Sequence, residues 1–198
     1  RGFCFPLYLC FLFASRKFSV APMSDFPIPP PTAADVPAIT AIYGFEVREK
    51  TASFEMTPPD EAEMTRRFAA ITGGGFPYLV AEAEGRIAGY AYAGPYRPRP
   101  AYRYTVENSV YLDPAYYRRG IGSALLKELI AQCTARGYRQ MIAVIGDSAN
   151  AASIGLHQSA GFAMIGTHPD VGFKFGRWLD SVQMQLALGE GGATTPAR

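Results

Sequence analysis

The chain has 198 residues, a formal net charge of +2, 48% hydrophobic residues and 18% charged residues. That is enough chain for one domain with a proper core, and the near-neutral balance excludes a broad nucleic-acid face. Three cysteines are too few for a disulfide scaffold, and no cysteine or histidine cluster has metal-ligand spacing.

Residues 1–22 stand apart. Phe3 to Phe13 is strongly apolar, but it is interrupted by Pro6 and too short for an ordinary transmembrane helix. Only Arg1 precedes it, while Arg16-Lys17 follow, which is the wrong charge order for a signal peptide. Residues 1–22 read as an extension upstream of the natural start at Met23, or as appended sequence. A targeting or membrane-associating segment is the alternative. The domain is expected over residues 23–188, with a small, polar, frayed tail over 189–198.

Pro27 to Pro31 form a stiff lead-in, and Thr32 is a fair N-cap for a helix over residues 33–45. Pro37 falls in its first turns, where it is tolerated. A long loop follows over 46–59. Asp60 caps a second helix to about Ile71, ended by Gly73-Gly74-Gly75. Residues 78–83 and 87–93 read as strands around the turn Glu84-Gly85. A strand is expected over 105–112, a helix from the next loop to about Gly137, and a strand over 140–145. A helix over 150–159 and strands over 162–167 and 181–186 complete the chain. Strand–helix alternation after a hairpin implies a mixed sheet with helices on both faces, an α/β (α+β) class.

The loop Tyr117-Arg118-Arg119-Gly120-Ile121-Gly122-Ser123 joins a strand to a helix with apolar spacing at Ile121, Leu125, Leu126 and Leu129. Amides at a helix N-terminus lack internal partners and sit at the positive end of the dipole, so this is a candidate diphosphate cradle. It is not a P-loop, because no Lys-Ser or Lys-Thr follows. It is not a dinucleotide fingerprint either, because Leu125 stands where a third glycine belongs. A tight turn with two surface arginines is the plainer reading.

The order and spacing of several blocks carry a resemblance. They are Ala91 to Tyr96, Tyr104 to Tyr111, the Arg-Gly loop, Ala143 to Gly146, Leu156 to Phe162, and Gly172 to Asp180. From about Asp35 to Leu188 the chain resembles the GNAT acetyltransferases, within them the phosphinothricin and methionine sulfoximine acetyltransferase branch. One departure is Tyr117, which stands where the family signature begins with Gln or Arg.

The resemblance implies a sheet whose two central parallel strands splay apart, with acetyl-CoA as co-substrate in the gap and no metal. Val110 and Leu112 would bond the pantetheine arm. Arg118, Arg119, Gly120, Ile121, Gly122 and Ser123 would hold the diphosphate. Asn150 contacts the cofactor arm or simply caps its helix. Glu107 falls at the position of the branch's proposed base. His157, four residues before Gly161, would serve the thiolate or take a proton from the substrate. Cys133 lies outside every cleft motif, so direct attack by the amine is expected rather than a covalent acyl-enzyme. An amino-acid acceptor needs a carboxylate receptor, for which Arg103 and then Arg97 are the candidates. Phe54, Tyr96 and Tyr111 would line its pocket.

The expected function is acetyl transfer to the α-amino group of a small amino acid or analogue of the phosphinothricin or methionine sulfoximine and sulfone type. The alternatives are another amine, such as a polyamine or a protein N-terminus, or a non-catalytic acyl-CoA sensor. The resemblance implies a homodimer in the cytoplasm. Neither a nucleic-acid nor a membrane partner is expected.

Overall fold

A computed structural model describes residues 26–196 of the protein; the extension expected over residues 1–22 lies outside them. A 3-10 turn at Ala33–Asp35 leads into α1 (Val36–Glu49), which places Pro37 in the first helical turn, where its missing N–H costs nothing. The helix therefore begins three residues later than the pattern suggests. The Asp60 carboxylate accepts from the Glu63 N–H at 2.8 Å and opens α2 (Glu61–Gly73). Strands β1 (Tyr78–Ala83) and β2 (Arg86–Pro95) meet at Glu84 (φ 55°) and Gly85 (φ 72°), consecutive left-handed residues that suit a tight hairpin. Then come β3 (Thr105–Leu112), α3 (Ile121–Ala135), β4 (Gln140–Gly146), α4 (Ala151–Ser159), β5 (Ala163–Lys174) and β6 (Arg177–Ala187).

The sheet order is β1-β2-β3-β4-β6-β5. β3 and β4 run parallel, and the other neighbouring pairs are antiparallel. The expected mixed sheet is thus observed. Side-chain alternation divides the core in two. Leu79, Ala81, Ala91 and Val106 face α3, whose Leu125, Leu126 and Leu129 are fully buried. Tyr78, Val80 and Tyr90 face α1, which contributes Val36, Ile39 and Val47. Each buried leucine contributes about 1.5–3 kcal/mol, so Leu126→Ala would loosen the whole α3 face. Gly137 (φ 83°) stops α3 in the left-handed conformation that a helix end favours.

β5 and β6 are longer than the sequence suggests and form one hairpin turned by Phe175 and Gly176. Pro169, Asp170 and Gly172 read as strand breakers. They are accommodated because β5 is an edge strand whose register shifts between His168 and Gly172. Residues 189–196, within the expected tail, form turns beside Arg139, whose guanidinium meets Glu190 at 3.3 Å.

The site is set by one interruption. β3 pairs with β4 from Thr105↔Gln140 to Asn108↔Ala143 and no further. Beyond that rung β3 stays with β2 as far as Leu112, and β4 stays with β6 as far as Gly146. The two strands part, leaving the β4-facing backbone of residues 109–112 without a strand partner.

Candidate active site

The parting of β3 and β4 opens a cleft of about 1070 Å³. Val110, Leu112, Arg118, Gly120, Ile121, Gly122, Ser123 and Asn150 all line it. A smaller cavity of about 40 Å³ at the vertex is lined by Asn108, Val110, Ala143, Asn150, Ser153 and His157, among others.

Arg118 (φ 60°) and Gly120 (φ 89°) fold the loop so that α3 starts abruptly at Ile121. Gly120 supplies no side-chain cap, and the first turn carries no acidic residue. The opening amides of α3 are therefore free of a side-chain acceptor at the cleft wall, and the dipole adds positive potential there. A negatively charged diphosphate fits this wall without displacing a protein group. Arg119 is placed differently. Its guanidinium pairs with Glu84 at 2.6 Å and lies 5.1 Å over the Tyr116 ring, so the side chain serves the β1–β2 hairpin. Tyr117, at the departure from the signature, donates to buried Glu46 at 2.8 Å and ties the loop to α1. Asn150 caps α4, its oxygen accepting from the Ser153 N–H at 3.2 Å, while also lining the cleft.

Alternation on β3 places Glu107 on the α1–α2 face and its neighbour Asn108 on the α3–α4 face. Glu107 is half-buried. Burial raises its carboxyl above the ordinary value, and the nearby charge of Arg97 opposes that shift. Arg97 itself stacks 5.1 Å over Tyr96, and Tyr96 meets Tyr102 edge-on at 5.6 Å. Arg103 lies 4.6 Å over Tyr104. This connection between β2 and β3 therefore forms an aromatic and cationic rim beside Glu107.

His157 approaches from the other face. It is 4% exposed, with Nε2 at 3.0 Å from Asn108 Oδ1 and Nδ1 at 2.8 Å from the Ser153 carbonyl. Burial holds the ring below the ordinary imidazole value, and the Ser153 carbonyl opposes that shift only in part. Glu107 and His157 thus lie on opposite sides of β3; His157 lines the vertex cavity, whereas Glu107 lines neither cavity.

The loop between α1 and α2 packs against the ends of β4 and β5. Phe54 wedges against the ends of β4 and β5: a Cβ on Gly172 would stand 2.4 Å from its ring, and one on Gly146 2.9 Å. Tyr111 is packed edge-on against Tyr43 at 5.2 Å. Three polar residues here escape a sequence reading. Lys174, 2% exposed, donates to the Lys50 and Ser53 carbonyls at 2.9 and 2.7 Å. Glu46 sits on the buried face of α1, three and four residues on from Tyr43 and Ile42. Asn108 ends the β3–β4 ladder. A charge in step with an apolar helical stripe, and an amide in mid-strand, were the available signals.

Cys133 is buried in α3, and burial pushes its thiol up to about 12. That thiol is no nucleophile at neutral pH. Among the described residues no group of three or more His, Cys, Asp or Glu side chains could hold a metal, and no helix is long and apolar enough to cross a membrane.

The sequence profile of the acetyltransferase (GNAT) family matches residues 39–162. The chain belongs to that family. It is 54% identical over 162 residues to the phosphinothricin N-acetyltransferase of Alcaligenes faecalis, covering 82% of each chain. It is 47% identical over 156 residues to the L-methionine sulfoximine/L-methionine sulfone acetyltransferase of Pseudomonas paraeruginosa, covering 78% of this chain and 90% of that one. The crystal structure of a phosphinothricin acetyltransferase from Sinorhizobium meliloti in complex with AcCoA superposes with a TM-score of 0.85. It shares 51% identity and covers 87% of this chain and 94% of its own. This GNAT protein is an acetyl-CoA-dependent N-acetyltransferase, and the split between β3 and β4 is the gap that such a co-substrate needs.

Proposed function

We propose that the protein acetylates the α-amino group of a small amino acid or amino-acid analogue of the phosphinothricin or methionine sulfoximine type. The observation that carries this reading is a half-buried carboxylate, Glu107, facing the arginine and aromatic rim of the β2–β3 connection. In this reading Arg97 and Arg103 receive the acceptor's carboxylate, with Tyr96 and Phe54 as walls. Glu107 takes a proton from the ammonium, directly or through one water. The amine then attacks the thioester at the vertex, where unpaired backbone N–H groups of β3 supply donors for the developing oxyanion. The backbone of Val110 and Leu112 and the loop from Arg118 to Ser123 hold the co-substrate. His157 faces the departing sulfur. Direct attack is supported by the inert Cys133 thiol.

Thiol release with acetyl-CoA tests this across phosphinothricin, methionine sulfoximine and sulfone, ordinary amino acids, polyamines and a short peptide. Turnover concentrated on the free amino acids and analogues is expected. Turnover only with polyamines or the peptide overturns the assignment.

A homodimer is part of the same proposal. Ile165, Val171, Phe173, Phe175 and Trp178 on the β5–β6 hairpin are each more than half exposed, a large apolar surface for a single chain. A second copy is the proposed cover, and Trp178→Glu is expected to shift the molecular mass in light scattering from dimer to monomer. An unchanged monomeric mass for the wild-type protein refutes it. We place the enzyme in the cytoplasm, where acetyl-CoA is supplied.

A further inference from the structure

Four groups form a chain across the α3–α4 side of the split: the Ile142 carbonyl, the Asn108 amide, the His157 ring and the Ser153 carbonyl. Asn108 Nδ2 donates to Ile142 O at 3.0 Å, which turns Oδ1 toward His157 Nε2, also at 3.0 Å. At the far end His157 Nδ1 lies 2.8 Å from Ser153 O. The ring is therefore held between two oxygens that have no proton to give. A neutral imidazole carries a single N–H. Whichever nitrogen bears it, the other presents a lone pair to an oxygen. Turning the Asn108 amide over does not help, because Oδ1 would then face the Ile142 carbonyl. All contacts are donor to acceptor only when the ring carries two protons.

We propose that Asn108 is a positioning residue that holds a second proton on His157, making the ring a fixed buried cation beside the vertex cavity rather than a proton shuttle. Both N–H bonds are consumed within the protein, so the ring acts on the reaction through its charge. As the carbon–sulfur bond breaks and its electron pair stays on sulfur, the cation stabilises the coenzyme A thiolate, which takes its proton later from solvent. Burial is the larger cause and holds the ring below the ordinary imidazole value, with the Ser153 carbonyl opposing it; the case for the charge is the geometry, in which Asn108 Oδ1 is a second acceptor facing the other ring nitrogen. The causes acting on the ring include no charged side chain; its other ring contact is Phe162, edge-on at 5.0 Å. On α4 and β3 the neighbours are Ser153 and Asn108, and on β4 the apolar Ala143. The inference rests on the proposed site only for its catalytic consequence; the proton count stands on geometry alone.

The test is a titration of the His157 ring by side-chain 15N NMR in the wild type, N108L and N108D, each carrying H168Q to remove exposed His168. Asn108→Leu removes the acceptor and is expected to lower the midpoint by about one pH unit, a tenfold loss of proton affinity. Asn108→Asp keeps an acceptor and adds charge, so its midpoint is expected to rise. In N108L kcat is expected to fall more than KM for acetyl-CoA rises. Wild-type shifts of a neutral ring throughout pH 6–8, or equal midpoints in the wild type and the Leu variant, overturn the proposal; if the Leu variant does not fold, a midpoint in N108D no higher than wild type does so. None of the titrations needs turnover, so a wrong acceptor assignment and a wrong role for Asn108 give different results.

Discussion

Replacing Lys174 by Met removes the tie that fixes the α1–α2 loop to β5. The ammonium is 2% exposed and donates at 2.9 Å to Lys50 O and at 2.7 Å to Ser53 O, across more than 120 residues of chain. Its counter-charges, Glu46 and Glu55, are near enough to favour the charged form, while burial disfavours it more. Hydrogen bonds from a charged donor contribute about 1.5–3 kcal/mol each. Met relieves the cost of burying the charge but leaves two carbonyls without a donor, at about 1–3 kcal/mol each. A net loss of about 3 kcal/mol follows, or roughly 6–12 °C in Tm for a chain of this size. The damage is local. Ser53 also pairs its hydroxyl with Tyr43 at 2.9 Å, and the next residue is Phe54, the proposed wall of the acceptor pocket. KM for the acceptor is therefore expected to rise along with the fall in Tm. Thermal unfolding and initial rates at saturating acetyl-CoA measure both. A Tm within 2 °C of wild type with unchanged KM would refute the reasoning, since the loop would then be held without the lysine.

Glu107→Gln is expected to cost about 10²–10⁴-fold in kcat with acetyl-CoA affinity preserved; equal loss of both would make the residue structural. Glu107 must be ionised to accept a proton, and burial raises its folded-state value above the ordinary 4.5. Activity therefore rises with pH through that raised value, and the acidic limb of kcat/KM is displaced upward from that of an ordinary glutamate. Arg97 opposes the shift, so Arg97→Ala should move the limb to higher pH; movement the other way would mean that Glu107 is not the titrating group. Ionising Glu107 costs stability as pH rises from its unfolded value through its folded one. Gly146→Ala would put a Cβ 2.2 Å from the Thr51 carbonyl, and a backbone atom yields poorly. A loss of about 1–3 kcal/mol in denaturant unfolding is expected. Gly155→Ala, with nothing within 4 Å, should be neutral or stabilising. Tyr117→Phe strips the donor from buried Glu46, at about 1.5–3 kcal/mol, and should weaken acetyl-CoA binding by loosening the loop from α1; calorimetry showing unchanged affinity would confine the bond to stability.

The sequence is most legible where local chemistry and tertiary structure agree. Glu84-Gly85 names the β1–β2 turn, and both residues take positive φ; Asp60 names the start of α2 and bonds Glu63 as a cap should. The Arg-Gly loop is legible for the same reason, because glycine at φ 89° before an apolar helix has few other uses. The β5–β6 hairpin is not legible. Its outer apolar residues stay more than half exposed, so burial does not mark them, and Pro169 and Gly172 punctuate a strand that tolerates them only at a sheet edge. Arg119 shows the limit of motif reading: the spacing puts it in the loop, but Glu84, 35 residues earlier, determines where its side chain goes.

Asn108 joins these levels at the point where the chemistry happens. The β3–β4 ladder must end for an extended co-substrate to enter, and an ended ladder leaves backbone groups in want of partners. At the last rung the Asn108 side chain supplies one, bonding the Ile142 carbonyl across the two strands. The same amide then faces His157, so the group that bridges the two strands at the last rung is also the one proposed to set the proton inventory of the ring. Glu107, one residue earlier, points to the other face, where the proposed mechanism has the acceptor's ammonium lose its proton. In the proposed mechanism two adjacent residues on one strand thus address the two ends of the reaction, amine on one face and sulfur on the other. Strand alternation delivers that division without any further device.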